Sequence, residues 1–545
     1  MSPNTRRTFF IDVQARERPP ANASVVGHKA YNLARMAAIG LPVPPAFVLG
    51  SGFCPTDDVV DAETQAELAQ TLTVNLRRLE RATALTYGGS RRPLLLSVRS
   101  GASVSMPGML DTILNIGLNE TTVRGVLRTT GNPRLTWDSY RRLIQSFAEV
   151  VDACPGEPFD ALLADALAQA HCSRPQELDS RALSGLAREY LALYRKLVGR
   201  NFPQDPSEQL KAAVSGVHRS WNGARAREYR RLNNIPNDLG TAVTVQRMVF
   251  GNAGGTSGSG VAFTRDPATG ENRLYMDFMF NAQGEDVVSG RHPVSGDAQL
   301  SSILPAIARQ LVDAARALEA EFKDMQEFEF TVQDEVLYLL QTRSGKRTAL
   351  AELRIAVDHV REGLIEPGDA LSRVGRLDTA ALRNVKALEN DASKVICTAT
   401  SASSGVATGA IALDLESARA KSASQPVILV RQDTETSDIA ALAVAHGLLT
   451  ARGGRTSHAA VVARQMDKVA LVGCNALAID LSARTCTLNG IRLAEGDTIT
   501  LDGTTGKIFL GTPELLCESL DAEVAEIENW RKLTTRTSRV KSRAL

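Results

Sequence analysis

Apolar residues recur at helical spacing from residue 135 to 232, with breaks at Pro155–Gly156 and at Pro203–Pro206. From Thr241 the texture changes. TAVTVQRMVF, SGVAFTRD, NRLYMDFMF, EFEFTVQ and VLYLLQTR are short β-rich runs parted by Gly, Asn and Asp. A chain that is helical in one long stretch and rich in antiparallel strands in the next fits a multidomain α/β and α+β architecture. The length of 545 residues agrees, since it corresponds to about two to four domains.

Upstream of these stretches, GHKAYNLARMAAIGLPVPP (27–45) reads as a helix stopped by Gly40 and Pro42. In segment 91–118, PLLLSV reads as a buried strand, GASVSMPGM as a small-residue loop, and DTILNIGL as a second apolar run. Downstream, KRTALAELRIAVDHVREGLI is amphipathic. A new α/β segment then carries the strand PVILVR, a helix through IAALAVAHG, and a hairpin-like end, GDTITLDGTTGKIFL. The expected organisation is a large domain over 1–345, a helical connector over 346–390, a second domain over 391–512, and a charged helix with a basic tail over 513–545.

Composition narrows the function classes. Lys and Arg number 62 against 61 Asp and Glu, a formal net charge of +1, which argues against a general nucleic-acid or membrane-surface binder. No apolar run is long enough for a transmembrane helix. The opening MSPNTRRTFFIDVQARERPP lacks the core and cleavage site of a signal peptide. The seven cysteines are scattered and never spaced C-x-x-C, which argues against a disulfide framework or zinc site and fits a reducing cytoplasm. A cytoplasmic protein is expected.

Three segments carry chemistry. In GGRTSHAAVVAR (453–464) two glycines make a tight turn, Thr456 and Ser457 are N-cap candidates, and AAVVAR starts a helix. His458 then lies at a helix N-terminus, where free N–H groups and the dipole favour an anion such as a phosphoryl group on an imidazole nitrogen. A capping or packing histidine would use the same position. GASVSMPGM can bring backbone amides close to phosphate through Gly101 and Gly108, with Arg99 and Lys29 as nearby cations; a plain surface loop fits it too. In EFEFTVQDEVLYLLQTR, Glu327 and Glu329 share one strand face, as do Gln341 and Arg343 on the next strand. Such a face could hold Mg2+ and phosphate, or be the solvated side of a hairpin.

These segments, with TWDSYRRLIQSF, EYRRLNNIPNDLGTAVTVQRMVFGN, NAQGEDVVSG and LLQTRSGKRTA, occur in one order over nearly all of residues 25–511 and together resemble pyruvate phosphate dikinase. The resemblance implies an ATP-grasp-type nucleotide-binding domain followed by a swivelling β/α phosphohistidine domain. It implies Lys29, Arg99, Glu327, Glu329, Gln341 and Arg343 for ATP and its metal, with Mg2+ on Glu329 and Gln341. Gly101, Ser105 and Gly108 belong to the phosphate loop, and His458 is the phosphorylated residue. The family's Gly-Gly-Lys is Gly27-His28-Lys29 here, Arg455 stands where the family usually has Met, and Ser457 stands where the related phosphoenolpyruvate synthases have Cys.

In the family the histidine attacks the β-phosphoryl of ATP and AMP leaves. Phosphate, or water in the synthases, removes the terminal phosphoryl, and the phosphohistidine donates to an acceptor. A complete dikinase continues with a β/α barrel for pyruvate or phosphoenolpyruvate, whose motifs do not occur in these 545 residues. The expected acceptor is therefore pyruvate on a separately encoded barrel subunit. The alternatives are another small molecule, such as an antibiotic or biosynthetic intermediate, and a regulatory phosphocarrier role.

Overall fold

The computed structural model describes residues 8–14, 20, 22–55, 62–104, 106, 109–288, 297–375, 377–379, 382–390, 393–433, 438–454 and 457–541. Contacts divide the chain into two compact units, one of residues 1–255 with 338–342 and one of residues 256–337 with 343–545.

The first unit is built on a five-stranded antiparallel sheet. Its order is Thr8–Ile11, Ala46–Leu49, Ala242–Arg247, Leu96–Gly101 and Thr112–Ile116. The run PLLLSV is buried as expected, with Leu94, Leu96 and Val98 fully enclosed. Helices Pro133–Val151, Ser180–Val198 and Pro206–Ser220 cover the sheet and share one core with it through Ile144, Phe147, Tyr190 and Val214. Asn132, Asp179 and Asp205 cap these three helices with their side chains, so each start is fixed locally by the sequence.

The second unit contains the antiparallel strands Gly258–Phe263, Tyr275–Phe280 and Gln326–Gln333, with Glu329 opposite Val261. It also contains an eight-stranded mixed sheet. Four central strands, Val406–Ala412, Val427–Arg431, Gly447–Thr450 and Val469–Val472, run parallel. Helices Leu415–Ser422, Ile439–Val444 and His458–Gln465 link them in succession. These are βαβ units, and the near-continuous apolar strands VILV and VALV match burial on both faces. The hairpin-like end is an antiparallel pair, Thr498–Asp502 with Lys507–Leu510.

The contacts place a break at 255, whereas the texture of the sequence places it at 345. Phe263, Tyr275 and Met325 form a buried cluster with Ala351 and Ile355 of helix Ala349–Arg361. The Tyr275 hydroxyl donates to the Ser401 carbonyl at 2.6 Å. Residues 256–337 are thus bound to segments C-terminal to them. Segment 346–390 is helical only in part: after Ala349–Arg361 and Pro367–Val374 it forms strand Arg383–Ala387, antiparallel to Leu515–Ser519. Helix Asp521–Lys541 and the preceding Leu520 return to this region, with Leu520 and Ile527 in one core with Leu353, Val357 and Val374. Among the described residues no helix is long and apolar enough to cross a membrane.

Candidate phosphohistidine turn and nucleotide-binding residues

Strand Gly447–Thr450 runs into the turn that ends at helix His458–Gln465. Gly453 has φ +103, a conformation that favours glycine, and a Cβ there would crowd the Ser457 hydroxyl at 3.2 Å. Ser457 is extended (φ −60, ψ 158), and its side chain accepts from the Ala460 N–H at 3.4 Å. Of the two expected cap candidates, Ser457 is the cap and Thr456 lies outside the described residues. His458 is the first helical residue, where backbone N–H groups have no intrahelical acceptor.

The helix behind it fits closely because it is small-sided. Ala460 and Ala463 are fully buried against Ala402, Ala441, Ala445 and Ala470. At its far end Arg464 is buried, donates to the Ala402 carbonyl at 2.7 Å and lies 5.3 Å from the Phe263 ring centroid. Burial lowers its pKa, and the charges of Tyr275, Glu327, Asp277 and Asp266 act the other way. This anchor is hard to see in sequence, because an arginine in the last turn of a helix usually caps it from the surface.

In the same unit, Glu327 and Glu329 project from one face of strand Gln326–Gln333, with Glu327 buried and Glu329 half-buried. Arg343 donates through Nη2 to Glu327 Oε1 at 2.6 Å. Desolvation opposes its charge, but the hydrogen bond to Glu327 and the fields of Glu327 and Glu329 outweigh it and raise its pKa. The structure therefore couples three expected residues into one charged cluster.

The first unit gathers the others. Helix Ala23–Ala38 kinks at Gly27 (φ 76, ψ 157), where a Cβ would lie 2.0 Å from the Gly101 carbonyl oxygen. The His28 N–H donates to the Ala102 carbonyl at 3.2 Å, and the Gly101 N–H donates to Thr241 Oγ1 at 3.2 Å. The helix carrying Lys29 thus abuts the end of strand Leu96–Gly101. Lys29 and His28 are exposed, so the extra bulk at the family's second glycine faces solvent. Arg99 is half-buried on that strand, two residues before Gly101 and opposite Thr244. Asn32, one turn after Lys29, donates to the Thr342 carbonyl at 2.9 Å and ties this helix to the segment holding Gln341. Thr241 and Asn32 were not singled out in sequence, because neither lies in a motif. Ser105 and Gly108 lie outside the described residues.

Comparison with known proteins bears on both groups. Residues 55–298 match the model of the pyruvate phosphate dikinase AMP/ATP-binding domain, and residues 423–506 match the mobile domain of PEP-utilising enzymes. The pyruvate, phosphate dikinase of Clostridium symbiosum is 42% identical over 523 residues, covering 94% of this chain and 60% of that protein. The chain therefore carries a pyruvate phosphate dikinase-type AMP/ATP-binding domain and a PEP-utilising-enzyme mobile domain. A chloroplastic dikinase of Zea mays is 40% identical over 536 residues (97% of this chain, 56% of that protein). The dikinase of Rhizobium meliloti (strain 1021) is 39% identical over 530 residues (94% and 59%). The chain thus spans little more than half the length of these dikinases. The mobile-domain match contains the Gly453–Ser457 turn and His458, and the nucleotide-domain match contains Arg99 and Gly101.

Proposed function

We propose that this chain is an ATP-dependent phosphotransferase of dikinase type that stores a phosphoryl group on His458. The observation that carries the reading is the position of that histidine: first in a helix, behind a glycine turn and a serine cap, inside the segment matched to the mobile domain. An imidazole nitrogen of His458 attacks the β-phosphorus of ATP. The bond from that phosphorus to the oxygen bridging it to the α-phosphorus breaks, and AMP leaves with that oxygen. Inorganic phosphate then takes the terminal phosphoryl as pyrophosphate, and a phosphohistidine remains.

The side chains supply positive charge where the triphosphate carries negative charge. Lys29, Arg99 and Arg343 serve as the cations, and the backbone at Gly101, with Ser105 and Gly108, forms the phosphate loop. The Glu329 carboxylate and the Gln341 amide oxygen are hard oxygen donors suited to Mg2+. When bound, Mg2+ would screen phosphate charge against the attacking nitrogen. Glu327 pairs with Arg343 and orients that guanidinium. The functional division follows the expected domains: 1–345 binds ATP, 391–512 swivels with His458, and 346–390 and 513–545 connect.

The acceptor in this reading is pyruvate, bound on a barrel subunit outside these 545 residues. The names of the related proteins, pyruvate, phosphate dikinases, support pyruvate as the acceptor. Incubation with Mg2+ and ATP radiolabelled at the β-phosphoryl should label the protein in an acid-labile, base-stable form. His458→Ala should carry no label; a labelled variant would refute the assignment. The label should pass to pyruvate only when the remaining portion of a full-length relative is added. Turnover by the chain alone would place the acceptor site within it.

A further inference from the structure

The segment matched to the mobile domain holds one half of a second reactive feature. Cys397 lies on strand Val395–Thr398, and Cys474 lies just past strand Val469–Val472. They are 77 positions apart in sequence, yet their Sγ atoms are 3.5 Å apart. Cys474 is fully buried, whereas Cys397 is half-buried and within reach of a small solute.

The residues at 473–474 also brace the His458 turn. The Cys474 N–H donates to the Thr450 carbonyl at 2.9 Å, and the Gly473 N–H donates to the Arg452 carbonyl at 3.4 Å. The approach leaves no slack: a Cβ on Gly473 would lie 2.7 Å from the Gly453 carbonyl oxygen. Gly453 in turn packs on the hydroxyl of Ser457, the cap of the His458 helix.

We propose that Cys397 and Cys474 are a peroxide-responsive dithiol whose disulfide restrains the turn presenting His458. The inference uses the phosphohistidine reading only for its functional readout. The Cys397 thiolate attacks one peroxide oxygen; an S–O bond forms, the O–O bond breaks, and hydroxide leaves as water after taking a proton. The Cys474 sulfur then displaces the hydroxyl of the sulfenic acid. An S–S bond forms, and the Cys474 proton departs with that hydroxyl as a second water. Two thiols are oxidised by two electrons, and one peroxide is reduced to two waters. Accessibility sets the order. Burial, together with the hydrogen bond and charge of Cys397, pushes the Cys474 thiol up to about 12. Conversion of Cys397 to a neutral sulfenic acid removes its charge, and the 3.5 Å approach of the two sulfurs holds Cys474 in position to attack. Closure from 3.5 Å to the roughly 2.05 Å of a disulfide draws Cys474 toward the 395–398 strand and away from its place against the turn.

The test treats the full chain with hydrogen peroxide and maps peptides without reduction. A cross-linked Cys397–Cys474 pair is expected, and the rate of His458 labelling from ATP should fall roughly 10-fold or more, the scale of ångström-level misplacement. Dithiothreitol should restore the rate. Cys397→Ser should label like the reduced protein and ignore peroxide. Hydrogen exchange over residues 451–460 should change on oxidation of the wild type and not of Cys397→Ser. That arm and the peptide map need no phosphoryl transfer, so a failure of the His458 reading remains distinguishable. The proposal is overturned if no such cross-link forms, if the cross-link leaves exchange in the turn unchanged, or if Cys397→Ser loses labelling with peroxide as the wild type does.

Discussion

Gly27 shows how one residue can set a close approach between two backbone segments. Its φ of +76 and the 2.0 Å gap from a built Cβ to the Gly101 carbonyl oxygen leave no room for a side chain. Gly27→Ala should cost about 2–3 kcal/mol of stability in the first unit, read by denaturant unfolding, and should slow labelling by ATP more than it weakens the fold. At the other site, Ser457→Ala removes one cap hydrogen bond. It should cost about 1 kcal/mol, with Ser457→Thr retaining most of the stability. If Arg343, paired with Glu327, serves ATP as proposed, Arg343→Ala should impair phosphorylation by ATP and leave transfer from an already phosphorylated protein intact. Loss of the transfer step alone would contradict that role.

Among elements, the buried Arg265, just past the 258–263 strand, gathers the carboxylates of Glu319, Asp358 and Glu362 from two helices and a helix cap. It donates to Glu319 at 2.9 Å and to Glu362 at 2.6 Å, with Asp358 at 3.8 Å. Burial would raise the pKa of Glu319, but His359 at 3.4 Å and the Arg265 guanidinium bring it from 4.5 to about 2. The folded-state value lies below the unfolded one, so the stabilisation is complete above pH 4.5 and is lost as pH falls toward 2. Its size is on the order of 3 kcal/mol. Glu319→Gln should flatten the stability profile in that window; an unchanged slope would show that the network does not titrate with folding. Sequence showed helix over 346–390 but neither the 305–322 helix that carries Glu319 nor the partners of these elements. The 349–361 and 367–374 helices follow from apolar spacing and the Thr348 cap. The pairing of 383–387 with 515–519 joins segments more than a hundred residues apart, and no local pattern specifies that register. The site divides in the same way. His458, Glu327 and Glu329 were legible from turn chemistry and strand alternation, whereas Asn32, Thr241 and Arg464 act through tertiary contacts. The Cys397–Cys474 approach is of the same kind, since seven scattered cysteines carry no spacing signal.

At the scale of the whole molecule, the two units carry acid-sensitive groups with different windows. His218, enclosed in the first unit, is pushed by burial from 6.5 down to about 4. It stays neutral when folded, so its contribution is complete above pH 6.5 and fades as pH falls toward 4; its size is on the order of 3 kcal/mol. Acid should therefore weaken the first unit before the Glu319 network of the second. His218→Asn should remove the earlier phase as followed by fluorescence of Trp221, which is buried in that unit. On the reading proposed above, function at this scale rests on one histidine, His458, which would receive a phosphoryl group from ATP and give it up elsewhere. The most direct measurement is tandem mass spectrometry of the protein after a single turnover with Mg2+ and ATP, under conditions that preserve P–N bonds. The phosphoryl group should be found on His458 within the peptide of residues 456–464, matched one for one by AMP. A phosphoryl group on any other residue, or ADP as the nucleotide product, would contradict the account.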